Sequence, residues 1–184
     1  MTLGEAIAGW HDFFLATASA AAVLLGLTFV GMSLHYDTRH LDRRLVVLAL
    51  DSAVPLFYAV LTCLVMLVPI AQPWVPSGAL AVVGALATIN AGAPLFGGWF
   101  ADATRPRPEH RFLDRLRYVL PWLAALALIP TALALLVAPE PVLYVVAFIV
   151  LALLAFGMQN AWDLLLRRDL RGRLDVPPGE DDGT

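Results

Sequence analysis

Five apolar runs divide the chain: Phe13–Leu34, Leu45–Ile70, Pro76–Phe100, Leu116–Ala138 and Val142–Leu166. Each is long enough to cross a hydrocarbon core about 30 Å thick at about 1.5 Å per helical residue. A soluble fold has no use for so much uninterrupted apolar length. The expected fold class is therefore all-α, an integral membrane bundle of five transmembrane helices in one domain over residues 1–166. Composition agrees, with 60% of residues hydrophobic and only 15% charged, and a mean hydropathy of +0.76. The segment ahead of the first run holds Glu5 and Asp12 and no basic residue. That run is also longer than a signal-peptide core, which predicts a retained helix rather than a cleaved leader.

The joints between runs fix an orientation. All twelve basic residues are arginines, and there is no lysine. Arg39, Arg43 and Arg44 follow the first run, and Arg105, Arg107, Arg111, Arg115 and Arg117 follow the third or open the fourth. Arg167, Arg168, Arg171 and Arg173 follow the fifth. The joints after the second and fourth runs, AQPWVP and APEP, carry none. With five spans, every arginine falls on one side, which the positive-inside rule makes the cytoplasm. The N-terminus is then outside and the C-terminus cytoplasmic. Trp10, Trp74 and Tyr144 belong to the outer interface on this reading, and Tyr36, Trp99, Tyr118 and Trp162 to the inner one. The prolines inside the runs predict kinks, and Asn90–Gly98 (NAGAPLFGG) is the segment expected to depart most from regular helix. Glu109–Arg117 is expected to extend the fourth helix beyond the membrane. Residues 167–184, basic and then acidic, are expected to form a disordered cytoplasmic tail.

Polar residues inside the runs are the first place to look for chemistry, because a charge in hydrocarbon costs about 2.5–3.5 kcal/mol on insertion scales. Counted at about 1.5 Å per residue, Asp51, Gln159 and Asn160 lie about 9–10 Å from the inner end of their runs. Thr28 sits at similar depth and Asn90 nearer the midplane. These five residues form one candidate cluster. It reads either as a hydrogen-bonded buckle between helices or as a proton or ion site. Asp163, four residues before Arg167, reads as an ordinary surface pair.

A second candidate is a stripe on the first helix. Asp12, Ser19, Gly26 and Ser33 recur every seven residues, with Ala18 and Ala22 beside them. A seven-residue step drifts only about 20° around a helix, so they share one face. Small residues on one face let membrane helices approach closely, and can also line a narrow wet path. No metal site or cofactor is expected. The single cysteine, Cys63, lies inside an apolar run, and none of His11, His35, His40 and His110 lies mid-membrane or shares a helix at metal-binding spacing. Nucleophile and phosphate-binding motifs are absent, so no enzymatic activity is expected. The arginines track one membrane face, so the bilayer explains them before nucleic acid does.

The run Trp10-His11-Asp12-Phe13-Phe14, followed by ATASAAAVLLGLTFVGMSL, basic residues and a second span ending LVPIAQP, resembles a family of small bacterial multi-pass membrane proteins. Their first helix has a W-x-x-F-F, alanine-rich, G-L-x-F-V-x-x-S-L pattern, and the resemblance covers about the first seventy residues. Some members are described as modulators of a membrane-bound AAA protease, and the resemblance implies a bacterial inner-membrane location. The expectation is an accessory or regulatory subunit that assembles with copies of itself and with another membrane protein. The alternative is an ion- or proton-conducting channel along helix 1 and the cluster around Asp51.

Overall fold

The structure, a computed structural model, describes the backbone of residues 3–33, 43–68, 72, 74–96 and 111–174, and the side chains of 5–31, 33, 52–68, 72, 74–92 and 119–162. It is all-helical over these residues: α1 (Leu3–Ser33), α2 (Arg43–Leu67), α3 (Trp74–Phe96), α4 (Arg111–Ala134) and α5 (Pro139–Leu174). Each helix answers to one apolar run. Three contain segments long and apolar enough to cross a membrane, Glu5–Gly31, Trp74–Gly92 and Pro139–Trp162. Ser52–Leu67 and Val119–Ala134 are shorter apolar stretches.

The helices stand in three rows. α2 and α5 pack together at the centre, α1 lies against both on one flank, and α3 and α4 pair on the other, against α2 and α5 respectively. α4 closes in a turn, with the Val137 and Ala138 amides donating to Ala134 O at 3.0 and 2.9 Å. α5 then opens on Pro139 and Glu140. A proline costs nothing in a first turn, where its missing N–H has no helical partner, and an acid suits the positive end of the helix dipole. At that end of the bundle Trp10 of α1 meets Tyr144 of α5 edge to face, with centroids 4.7 Å apart. The two therefore share one level, as their assignment to one interface requires.

Large apolar side chains point outward on every helix, Phe148 at 74% exposure and Phe29 at 71% among them. Ser52, Thr62, Ser77, Thr131 and Asn160 are buried. This inversion of the soluble pattern suits a lipid surround. The interior is closest-packed at two glycines. A Cβ on Gly84 of α3 would stand 2.8 Å from Leu128 Cβ and 3.3 Å from Ile129 N of α4. One on Gly157 of α5 would stand 2.5 Å from Leu56 Cγ and 3.3 Å from Ser52 O of α2.

Pro55 lies within α2, and Pro121 and Pro130 within α4, without ending either helix. Two expectations are corrected. The NAGAPLFGG segment is helical through Phe96, because Pro94 comes so near the end of α3 that little helix remains for it to disturb. The tail is not irregular from 167: α5 continues to Leu174, since LLLRRDLRGRL is rich in leucine and arginine, both good helix formers. The acidic segment 175–184 lies outside the described residues. α1 also begins at Leu3, ten residues ahead of its apolar run.

Candidate functional site

The five residues of the polar cluster sit on four helices, α1, α2, α3 and α5. Thr28 is buried on α1, and its hydroxyl donates to Leu24 O of the same helix at 2.8 Å. Asn90 is exposed on α3, and its Nδ2 donates both to Tyr58 Oη of α2 at 2.5 Å and to Leu86 O at 3.0 Å. Asn160 is buried on α5, while its neighbour Gln159 is exposed. Asp51 lies on α2, and its side chain is outside the described residues. One interhelical hydrogen bond here joins Asn90 to Tyr58. Tyr58 escaped the sequence reading because a tyrosine in an apolar run looks like an aromatic filler, and only its hydroxyl makes it a partner.

The α1 stripe is better defined. Asp12, Ser19, Ala22, Gly26 and Ser33 are all exposed, on the face of α1 turned away from α2 and α5. Ala18, expected beside them, faces inward and is buried. A Cβ on Gly26 would meet nothing within 4 Å. Val23, Leu27 and Val30 stand exposed around it, so the stripe is a shallow apolar trough between taller side chains. The serine hydroxyls are turned back on their own helix, Ser19 Oγ donating to Leu15 O at 2.8 Å and Ser33 Oγ to Val30 O at 3.0 Å. Back-bonding of this kind spends the hydroxyl proton locally and leaves a serine with nearly the steric character of an alanine.

At the N-terminal end of the stripe His11 Nδ1 and Asp12 Oδ1 are 3.3 Å apart, both side chains well exposed. Among the described residues no group of three or more His, Cys, Asp or Glu stands close enough to hold a metal. Thr62, buried in α2, is the one described side chain whose buried polar atom, Oγ1, lacks a hydrogen-bond partner. No protein-family model, curated protein or solved structure matches the chain.

Proposed function

We propose that this chain is a five-span protein of a bacterial cytoplasmic membrane, N-terminus outside and C-terminus inside. It acts without catalysis as an accessory or regulatory subunit, and it self-associates through the outward trough of α1. The arginine partition supports the topology, and the likeness of the first seventy residues to small bacterial membrane proteins supports the role. One observation carries the contact surface: Gly26 is open to its surroundings at the floor of a trough walled by Val23, Leu27 and Val30. A second helix can lie close to the α1 backbone there, and close approach is what drives association where lipid offers no hydrophobic gain. The back-bonded serines favour a dry seam over a conducting path.

The test is Gly26→Leu in a Cys63→Ser background carrying Val23→Cys as a cross-linking reporter. The parent should form cross-linked copies in membranes, and Gly26→Leu should lower their yield about tenfold by filling the trough, with insertion unchanged. Equal cross-linking in both proteins would defeat the proposal. Ion flux through the parent in liposomes, abolished by Gly26→Leu, would put the channel reading in its place.

A further inference from the structure

At the N-terminal end of the α1 trough an exposed imidazole and an exposed carboxylate stand side by side. His11 Nδ1 and Asp12 Oδ1 are 3.3 Å apart, and both side chains are open to solvent. That spacing is long for a hydrogen bond. It is, however, the spacing of two ligands on one tetrahedral zinc ion. Bonds of about 2.0–2.1 Å to nitrogen and oxygen, opened to the tetrahedral angle, set the donor atoms about 3.3 Å apart. The chain therefore presents half of a zinc site. Among the described residues no third His, Cys, Asp or Glu joins the pair. Glu5, on the same face of α1, lies two turns before Asp12, about 10 Å along the axis.

The trough supplies the other half. Copies inserted with one orientation meet with α1 parallel, and a two-fold axis then sets each seam residue against itself. Asp12, Ser19, Gly26 and Ser33 recur every seven residues. That repeat keeps two helices in contact along a left-handed supercoil instead of letting them diverge. A contact at Gly26 thus carries on to Asp12, two repeats away. The stripe positions between them, Ser19 and Ala22, are small and exposed. A Cβ on Gly9, one turn before Asp12, would meet nothing within 4 Å, as at Gly26. With axes about 8–10 Å apart, the two Asp12 carboxylates face each other and the two His11 rings flank them. Two bare carboxylates so placed repel, and hold this end of the seam apart.

We infer that His11 and Asp12 of two copies together bind one zinc ion, which closes the N-terminal end of the α1 seam and strengthens self-association. Two imidazole nitrogens and two carboxylate oxygens complete a tetrahedron. The charge of the ion cancels the repulsion that the bare carboxylates impose. Mixed nitrogen and oxygen ligation selects zinc over magnesium and calcium, which take oxygen ligands. The inference rests on the α1 contact proposed above.

The full-length chain carrying Cys63→Ser, which removes its single thiol, is sedimented in density-matched micelles with zinc or with chelator. At zinc about ten times its own dissociation constant, the dimer dissociation constant should fall about tenfold, with one zinc retained per pair of chains. His11→Gln and Asp12→Asn should each remove that response, and His110→Gln should keep it. In chelator Asp12→Asn should dimerise more tightly than the parent, since the facing charges are gone. A loss of fold would do the opposite. A zinc response that survives His11→Gln or Asp12→Asn overturns the inference, as does an equal response to calcium. Weaker dimerisation of Asp12→Asn in chelator overturns it too. Dimers that ignore zinc leave the α1 contact standing and remove the zinc site alone. A parent that stays monomeric in both buffers removes the α1 contact, and the zinc site with it.

Discussion

Gly26 and Gly157 both lie mid-helix in runs of alanine and leucine, yet their surroundings are opposite. A Cβ on Gly26 would meet nothing within 4 Å, while one on Gly157 would press into Leu56. The seam between α2 and α5 is filled from within the chain, and the trough of α1 is left open by it. Small residues thus mark a place of close approach without saying whose backbone approaches. Which seam a glycine serves depends on how each helix is rotated, and that follows from its neighbours rather than from its own spacing.

The sharpest way to break this comparison is to add one methyl group at each glycine. Gly84→Ala should be the most damaging, lowering stability by about 3 kcal/mol, the upper end for overpacking. Its obstacle is Leu128 Cβ, at 2.8 Å, with Ile129 N behind it. Neither atom can rotate away, so α3 and α4 must separate. Gly157→Ala should cost about 2 kcal/mol and be relieved by Leu56→Ala, since its nearest obstacles are Leu56 side-chain atoms. Gly26→Ala should leave the isolated chain as stable as before or slightly more so, because alanine is the better helix former. Reversible unfolding in mixed micelles measures all three. A loss at Gly26 equal to that at Gly84 would show that the trough is filled within one chain.

The five helices were legible from apolar length alone, because no other structure satisfies backbone groups across so many apolar residues. The helix ends were less so. Glu5, His11 and Asp12 interrupt hydropathy but not helix, so α1 starts at Leu3, and the arginines after Leu166 likewise continue α5. Depth was readable from counting and azimuth was not. Thr28 and Asn90 were expected in one cluster, Asn90 the deeper, but Thr28 bonds its own helix and Asn90 bonds Tyr58. Gly84 and Gly157 attracted no notice in the sequence, since nothing in a single helix distinguishes a glycine facing a leucine from one facing open space.

Hydroxyls sharpen the comparison at the next scale of energy. Thr17, Thr28 and Thr131 donate to the carbonyl four residues back at 2.6–2.8 Å, as the outward Ser19 does. Thr62, fully buried, does not. Replacing it by the near-isosteric valine removes an unpartnered polar group at little change of shape. Thr62→Val should therefore stabilise the bundle by about 1 kcal/mol. Thr17→Val, which deletes a made bond, should give no such gain. A loss of stability in Thr62→Val would mean that its hydroxyl has a partner after all.

The smallest effect concerns a side-chain bond that joins α2 to α3, where a buried group meets an exposed one. Tyr58 is 6% exposed and Asn90 lies at the surface. Interhelical bonds of this kind average only about 0.6 kcal/mol in membranes, but the two deletions are not equivalent. Tyr58→Phe leaves Asn90 with its second acceptor, Leu86 O, and leaves no polar atom stranded, so its cost should stay near that average. Asn90→Ala strands the Tyr58 hydroxyl inside the bundle, and a stranded buried group costs more than the bond it has lost. Asn90→Ala should therefore be the more destabilising of the two, and Tyr58→Phe should abolish most of the difference when combined with it. Equal costs for the single variants would show that the Tyr58 hydroxyl reaches another acceptor once Asn90 is gone, and that this edge of the interior is as open as the trough of α1.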